Sequence, residues 1–304
     1  MRIAFMGTPD FAVPSLRKLA DTHEVALVVT RPDAVRGRGR ALVPSAVKAE
    51  ALALGLEVAE ERRVTPELLE RLRGFDLDAV AVAAFGCILP DELLSLARLG
   101  CVNVHGSLLP RWRGAAPIQR AVLEGDERAG ISIMRVVHEL DAGAYCRQAF
   151  VEVGEKTCSE VMSELAELGA DELLLALAQM EDGSVRWADQ DESQASYARK
   201  IDKSEMLLDP ADGALANRRR IQASLDAAPA RLRLAGKGVR VLDARVSDVA
   251  VPRGGVLVRG GRVFLGCADG SVEALRVKPD GKREMDASAW AAGLQKRDLG
   301  WERA

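Results

Sequence analysis

The chain has 304 residues, of which 48% are hydrophobic and 29% charged, so it has the composition of a globular protein and the length of about two domains. No apolar run approaches the ~20 residues that a membrane-spanning helix needs. The five cysteines include no CxxC pair, and there are only three histidines. These counts argue against a disulfide framework and a zinc site, and they predict a reducing, cytoplasmic location without a bound metal.

The formal net charge of −3 is unevenly distributed. Residues 209–304 carry 18 Lys and Arg against 12 Asp and Glu, whereas residues 1–208 carry 24 against 33. An acidic first part followed along the chain by a basic second part suggests that the second part contacts a polyanion such as a nucleic acid. Compositional drift along the chain accounts for the same numbers, so both interpretations stay open on charge alone.

Strand and helix patterns alternate in the first half of the chain. Short apolar runs predict strands over 2–7, 25–30, 78–86, 101–105, 131–137 and 145–153, the last two as antiparallel additions at one edge. Amphipathic segments predict helices over 10–21, 45–55 and 90–100, and a long one from Cys158 to about Gly183. A further helix is predicted to start at Pro66, with Thr65 as its cap. This order predicts an α/β domain with a mostly parallel sheet covered on both faces.

The pattern changes after about residue 189. We predict a first domain over 1–189, a linker over 190–208 with weak periodicity, and a second domain over 209–304. The second domain starts with a helix in ALANRRRIQASL and continues with short β-runs separated by Gly-rich turns. Several short strands over ~80 residues predict a small barrel or sandwich.

Asn103 and His105 are the first candidates for chemistry. They are two residues apart on a predicted strand, so their side chains point to the same face, and they lie at the carboxyl end where open α/β sheets bind ligands. An amide donor beside an imidazole suits an oxyanion that forms during a reaction. The alternative is a polar strand end that only bonds to loop backbone.

Asp141 lies in HELDAGAY, a glycine-containing loop between two predicted strands. A carboxylate brought near His105 would fix the tautomer of the ring and favour its charged form. The alternative is a turn-forming aspartate, because Asp-x-Gly is common in turns.

Several segments resemble the methionyl-tRNA formyltransferases, a branch of the folate-dependent formyltransferase family, over essentially the whole chain. The segments that carry this resemblance are RIAFMGTPDFAVPSL, RPDAVRGRGRALVPSAVK, FGCILP, CVNVHGSLLPRWRGAAPIQRA, VVHELDAGAY and SYARKI. The resemblance implies a Rossmann-like formyl-transfer domain followed by a β-barrel similar to the OB fold. It implies transfer of the formyl group of 10-formyltetrahydrofolate to the α-amino group of initiator methionyl-tRNA, in translation initiation.

The same resemblance implies residue roles. Asn103, His105 and Asp141 are expected to be catalytic. The folate co-substrate is expected to contact two loops, made by Phe85, Gly86, Cys87, Ile88, Leu89, Pro90, Ser107, Leu108, Leu109 and Pro110. The second domain is expected to bind tRNA.

The basic segment RPDAVRGRGRAL carries Arg36, Arg38 and Arg40 alternating with glycines, so the guanidinium groups are free to contact phosphate or bases. A solvated surface loop is the alternative. Trp112 and Arg113, beside the turn at Pro110, are predicted to clamp a ligand. GTPDF after the first strand lacks G-x-G-x-x-G, which argues against a dinucleotide site.

Two other functions share part of this pattern. A folate-dependent formyltransferase that acts on an amino sugar would use the same catalytic set, but the arginine loop and the basic second domain argue against it. A non-catalytic tRNA-binding protein is disfavoured by the intact Asn103, His105 and Asp141. We expect a monomer, with tRNA and folate as partners and no membrane association.

Overall fold

The computed structural model describes residues 1–35, 42–294 and 299–304. The chain forms two compact units, each assembled from separate stretches of sequence. The first unit contains residues 1–118, 128–152 and 162–199, and the second contains residues 119–127, 153–161 and 200–304. The boundaries predicted at 189 and 209 stay a proposal.

Among its described residues, the first unit has a strand at each of the six predicted apolar runs and five shorter strands that the sequence did not predict. Their bounds are β1 (Arg2–Gly7), β2 (Glu24–Thr30), β3 (Ala34–Val35), β4 (Leu42–Val43), β5 (Val58–Glu60), β6 (Ala79–Ala83), β7 (Cys101–His105), β8 (Arg113–Gly114), β9 (Arg128–Arg135), β10 (Tyr145–Glu152) and β11 (Tyr197–Ala198).

The main sheet has the order β10–β9–β7–β6–β1–β2–β5. Strands β7, β6, β1, β2 and β5 are parallel, whereas β9 and β10 are antiparallel to their neighbours. The predicted Rossmann-like parallel sheet with an antiparallel edge is therefore confirmed. Strand order reverses on the two sides of β1, which places a ligand crevice at the carboxyl ends of β1, β6 and β7.

Helices follow the strands. Their bounds are α1 (Val13–Thr22), α2 (Ala46–Ala53), α3 (Pro66–Arg73), α4 (Asp91–Leu94), α5 (Pro117–Glu124), α6 (Cys158–Glu181), α7 (Ala214–Gln222) and α8 (Ala287–Ala291). The predicted cap of α3 is confirmed, because the Thr65 hydroxyl accepts a hydrogen bond from Leu68 N at 3.2 Å. In the described part of the chain, no helix is both long and apolar enough to cross a membrane.

The helix predicted over 90–100 is wrong in its length. Helix α4 covers one turn and ends at Leu94. Beyond it, the N–H groups of Arg98 and Leu99 donate to the carbonyls of Leu77 and Asp78 instead of to the preceding turn. These long-range bonds satisfy the backbone and draw the segment against the start of β6, so the apolar pattern serves a packed turn.

The segment that was predicted as a linker over 190–208 contains regular structure: 3-10 turns at Glu192–Gln194 and Lys203–Met206, and strand β11 between them. Strand β11 pairs in parallel with β8, and Ala188 forms a β-bridge with Tyr145 at the start of β10. Residues 188–198 therefore lie against the loops that follow β7 and β9.

The second unit is an antiparallel sheet with the order β14–β15–β16–β13–β12–β18, and β17 pairs with β16. The strand bounds are β12 (Arg231–Leu234), β13 (Lys237–Ser247), β14 (Val256–Arg259), β15 (Arg262–Gly266), β16 (Ser271–Pro279), β17 (Met285–Asp286) and β18 (Trp301–Arg303).

This sheet curls until its two edge strands approach each other. Trp301 N donates to Gly254 O at 2.8 Å, and Val256 N donates to Leu299 O at 3.0 Å. The buried Trp301 indole fills the interior and donates to Gly266 O at 3.0 Å. The predicted small OB-like barrel is confirmed as a curled antiparallel half-barrel, since such curling pairs edges that would otherwise stay open.

Candidate active site

Asn103 and His105 lie on the same face of β7, as their spacing predicts. Cys101, two residues earlier, belongs to the apolar cluster beneath that face. Val104 points to the other face, where its side chain comes so close to Gly169 of α6 that a Cβ there would lie 2.7 Å from it. Helix α6 thus covers one face of β7, while Asn103 and His105 occupy the crevice side at the carboxyl end.

His105 is buried, and its two ring nitrogens have different partners. Nε2 lies 3.0 Å from Trp112 O, and Nδ1 lies 3.7 Å from the Asp141 carboxylate. A carbonyl can only accept, so Nε2 carries the proton and Nδ1 is the nitrogen that gains or loses one. The tautomer is therefore set by the Trp112 carbonyl, not by Asp141.

The pKa of His105 results from opposing effects. Burial lowers the pKa, Asp141 and the Trp112 carbonyl raise it, and the nearby Arg113 lowers it. The net direction is down, so burial favours the neutral imidazole and Asp141 stabilises the imidazolium when Nδ1 is protonated.

Asp141 is fixed in an uncommon backbone conformation. Its φ is +52°, in the left-handed region, and its carboxylate accepts a hydrogen bond from Gly114 N at 2.8 Å. Two residues later, a Cβ on Gly143 would lie 2.0 Å from Arg135 O, so only glycine fits there. The loop therefore needs its glycine, as the turn interpretation predicts, and the same turn presents Asp141 to His105. The prediction that Asp141 fixes the tautomer of the ring is wrong, because the Trp112 carbonyl does so.

The Asn103 side chain is partly exposed. No hydrogen bond joins its amide to any other residue within 1–35, 42–294 and 299–304. An amide with two N–H donors at the mouth of the crevice, on the same face as an ionisable imidazole, can bind an oxygen that becomes negatively charged.

Hydrogen bonds from side chains of β9 and β10 fix the backbone of the loop over 107–110. Ser132 donates to Ser107 O at 2.6 Å and accepts from Leu109 N at 3.1 Å, while Gln148 donates to Leu109 O at 2.9 Å. The buried Ser107 hydroxyl donates to Arg111 O at 2.6 Å. Ser107 and Leu109 are thus buried in the loop, and Leu108 and Pro110 are the half-buried members of the predicted folate contacts.

The loop over 85–90 contains both core and surface residues. Phe85 and Leu89 are buried in the apolar cluster beneath the crevice, whereas Ile88 is 75% exposed. Gly86 has a φ of +79° and is exposed, Cys87 is half-buried, and Pro90 precedes the first residue of α4. The role of this loop in folate binding stays a prediction. Ile88 is the side chain of the loop that is most exposed to a ligand.

The expectation that Trp112 and Arg113 clamp a ligand is wrong for Arg113. Arg113 is 2% exposed, and its guanidinium binds Gln190 at 2.9 Å and both oxygens of Glu192 at 2.6 and 3.0 Å. Trp112 has a φ of +61°, which turns its carbonyl toward His105. The pair therefore organises the site from within the protein.

Arg36, Arg38 and Arg40 lie outside the described residues, so their predicted contact with tRNA stays a prediction. Among the residues that the structure describes, no group of three or more His, Cys, Asp and Glu side chains could hold a metal ion. The chemistry of the crevice is that of an amide, an imidazole and a carboxylate.

The sheet topology and the Asn-x-His strand end facing Asp141 agree with the fold and the candidate site that the sequence motifs led us to expect. Residues 1–177 match the family model described as formyl transferase, and residues 200–295 match the one described as formyl transferase, C-terminal domain. The chain therefore belongs to the formyl transferase family, as the sequence motifs predicted.

Curated relatives resemble the chain along nearly its full length. A methionyl-tRNA formyltransferase of Methylococcus capsulatus is 42% identical over 292 residues, covering 94% of this chain and 95% of its own. One of Halorhodospira halophila is 41% identical over 298 residues, covering 96% of each chain.

Solved structures support the fold. HypX from Aquifex aeolicus, in complex with tetrahydrofolic acid, has a TM-score of 0.66 at 18% identity, covering 98% of this chain and 48% of its own. An N-formyltransferase from Helicobacter canadensis, in complex with folinic acid and dTDP-3-aminofucose, has a TM-score of 0.67 at 14% identity, covering 90% and 98%. At these identities the likeness concerns the fold alone.

Proposed function

We propose that the protein transfers the formyl group of 10-formyltetrahydrofolate to the α-amino group of initiator methionyl-tRNA, in the cytoplasm and for translation initiation. The observation that carries this proposal is the crevice at the end of β7. There the Asn103 amide, which bonds to no other residue in the described part of the chain, lies on the same face as His105, and Asp141 faces the ring at 3.7 Å. Near-full-length relatives named methionyl-tRNA formyltransferase support the choice of acceptor.

The transfer needs placement, an oxyanion site and a proton route. The α-amine nitrogen forms a bond to the formyl carbon, and the bond between that carbon and the folate nitrogen breaks. One proton leaves the amine and one arrives at the folate nitrogen. Asn103 donates N–H to the formyl oxygen, His105 supplies the ionisable Nδ1, and Asp141 stabilises the imidazolium.

The surface beside the crevice fits a flat, partly apolar co-substrate. Exposed apolar side chains on two loops flank the site: Ile88 is 75% exposed, Leu140 61% and Val137 41%. The loops meet where His138 Nδ1 lies 3.6 Å from the Asp91 carboxylate. Apolar side chains with a few polar groups are typical of small-molecule sites.

The test measures formyl transfer from 10-formyltetrahydrofolate to initiator methionyl-tRNA, with an amino sugar nucleotide in a parallel reaction. We expect formylation of the tRNA and none of the sugar. Formylation of the sugar alone would instead indicate a formyltransferase that acts on an amino sugar. Binding of tRNA without transfer would indicate a non-catalytic tRNA-binding protein.

The cysteines support the proposed cytoplasmic location. The five thiols are unpaired, and burial raises the pKa of Cys101 and Cys158 to about 12, so these two thiols are inert core residues suited to a reducing compartment.

We also propose that the protein acts as a monomer. Light scattering at assay concentration gives the mass directly, and a dimer mass would contradict this part of the proposal.

The arginine loop provides a prediction about tRNA recognition. Replacing Arg36, Arg38 and Arg40 by alanine should raise KM for methionyl-tRNA and leave KM for the formyl-folate unchanged. Each lost phosphate contact on duplex should also reduce the log–log salt slope by ~0.9. Arg38→Ala should also reduce the difference in formylation kinetics between initiator and elongator methionyl-tRNA, because an arginine between two glycines can reach a base edge. An unchanged tRNA KM in the triple variant would remove the loop from the recognition surface.

The second unit carries an arginine cluster, formed by Arg245, Arg259 and Arg262. Arg259 and Arg262 face each other across the Gly-Gly turn between β14 and β15, and Arg245 lies opposite Glu273. The buried Glu273 binds Arg245 and Arg262, which lower its pKa to about 2. Since like charges on facing strand positions are destabilising, this cluster supports a role in binding a polyanion.

Arg259 provides the corresponding test, because it is exposed and does not hold Glu273 in place. Arg259→Glu should raise the tRNA KM several-fold and lower the salt slope by about one, since it replaces one phosphate contact with a repulsive charge. Arg62→Glu is the matched control, since Arg62 is likewise an exposed arginine and lies in the first unit. Equal effects of both variants would mean a general charge effect and would contradict a tRNA surface at the cluster.

A further inference from the structure

Residues 186–198, which we call the strap, run along the loops that hold the catalytic groups. The backbone of the strap bonds to both loops: Tyr145 N donates to Ala188 O at 3.0 Å, and Arg113 N donates to Ser196 O at 2.8 Å. The Ser196 hydroxyl accepts from Trp112 N at 3.0 Å. The strap therefore contacts the residue whose carbonyl binds His105 and the strand that follows the Asp141 loop.

Gln190 is the strap residue that connects these loops through its side chain. Its amide nitrogen donates to Asp141 O at 2.8 Å and to Gly143 O at 2.7 Å. Its amide oxygen accepts from Arg113 Nε at 2.9 Å. All three bonds are close to ideal length, so one half-buried amide joins Arg113 to both ends of the turn at Asp141.

The turn needs such a partner. Asp141 has a left-handed backbone, which is strained in a non-glycine residue unless its surroundings hold it there. Two carbonyls of the turn point to the same donor group, and the Asp141 side chain is fixed separately by Gly114 N at 2.8 Å. Loss of the Gln190 donor leaves the side-chain bond in place but frees the backbone that aims it.

We propose that Gln190 is a positioning residue for the catalytic pair, holding the Asp141 turn so that the carboxylate faces His105 Nδ1. This inference rests on the proposed formyl transfer, because it assigns Gln190 a role in that reaction. Gln190 touches neither the ring of His105 nor the carboxylate of Asp141. It acts through the backbone of the turn and through Arg113.

An amide is needed at this position because it donates on one side and accepts on the other. Gln190→Met keeps the length of the side chain and removes both functions, whereas Gln190→Glu keeps the acceptor for Arg113 and places a negative charge beside two carbonyls. The buried charge of Arg113 stays paired in both variants, since Glu192 binds it through two hydrogen bonds.

The experiment compares wild type, Gln190→Met and Gln190→Glu in formyl transfer to methionyl-tRNA as a function of pH. Displacement of a reacting group by ~1 Å costs up to ~100-fold in rate, so we expect kcat to fall by about 10- to 100-fold with a smaller change in KM. The charged groups that face His105 are Asp141 and Arg113, and Asp141 raises its pKa. A displaced Asp141 in the Gln190→Met enzyme should therefore move the ionisation seen in the pH–rate profile to lower pH.

Gln194→Met is the matched control. Gln194 is an exposed amide in the strap, and among the described residues its side chain donates to the Asp191 carboxylate alone, at 2.8 Å, so its loss should leave the rate and the pH profile unchanged. A double-mutant cycle adds an independent readout: if Gln190 acts through Asp141, Gln190→Met should have little further effect on an Asp141→Asn enzyme.

Each outcome bears on the proposal. The proposal is overturned if Gln190→Met lowers kcat without shifting the pH–rate profile and lowers kcat by the same factor in the Asp141→Asn background. Gln190 would then stabilise the fold without acting through Asp141. An unaltered rate, or failure of both Gln190 variants to fold, would also overturn the proposal. Absence of transfer by the wild-type protein would instead reject the proposed function, which separates the two failures.

Discussion

We expect alanine at Asn103 or at His105 to lower kcat by about 100- to 1000-fold, the loss that follows removal of one oxyanion donor. The Asn103 amide makes no hydrogen bond within the described part of the chain, so its loss leaves no buried group unpaired. Removal of His105 takes away the group with the ionisable Nδ1. The measurement is steady-state formyl transfer, with thermal unfolding recorded for each variant.

His23→Ala is the control for the imidazole. His23 is a half-buried histidine between α1 and β2, at the amino end of the parallel strands and therefore at the edge of the sheet opposite to the crevice. Its replacement should leave kcat within a few-fold of wild type. Near-normal turnover by either Asn103→Ala or His105→Ala would contradict the assignment of the site.

Asp141→Asn should lose most of the activity while keeping its affinity for the folate. The amide is nearly isosteric, and its oxygen can still accept from Gly114 N, which the carboxylate now binds at 2.8 Å. What disappears is the negative charge 3.7 Å from His105 Nδ1. Because that charge raises the pKa of His105, its removal should shift the pH–rate profile to lower pH.

Folate fluorescence titration and the pH–rate profile together check this prediction. Affinity close to wild type with a low, shifted rate supports a role for Asp141 in the chemistry. A large loss of folate affinity would give Asp141 a binding role instead, and a profile displaced to higher pH would contradict the assigned electrostatics.

The sequence predicted the placement of Asn103 and His105 because it depends on local rules. Alternation along a strand puts residues two apart on one face, and parallel sheets bind ligands at the carboxyl ends of their strands. The apolar run over 101–105 was therefore enough to locate both side chains. The barrel was predictable for a similar reason, since its short strands and Gly-rich turns are local signals.

The support around the catalytic residues depends on long-range contacts that periodicity does not encode. Arg113 was predicted to clamp a ligand, yet it is buried against Gln190 and Glu192, more than 75 positions away. Gln190 itself lies in a polar stretch that resembles a linker. The left-handed backbone at Trp112 is imposed by tertiary contacts, since tryptophan has no preference for it.

The most direct test of the central claim follows a formyl group labelled at carbon from 10-formyltetrahydrofolate to initiator methionyl-tRNA, with deacylated tRNA as the parallel acceptor and Asn103→Ala as the parallel enzyme. We predict labelled N-formylmethionine after hydrolysis of the wild-type product, no label on deacylated tRNA, and at least ~100-fold slower labelling by the variant. Labelling of methionyl-tRNA at equal rates by both enzymes, or none by the wild type, would contradict formyl transfer at this site.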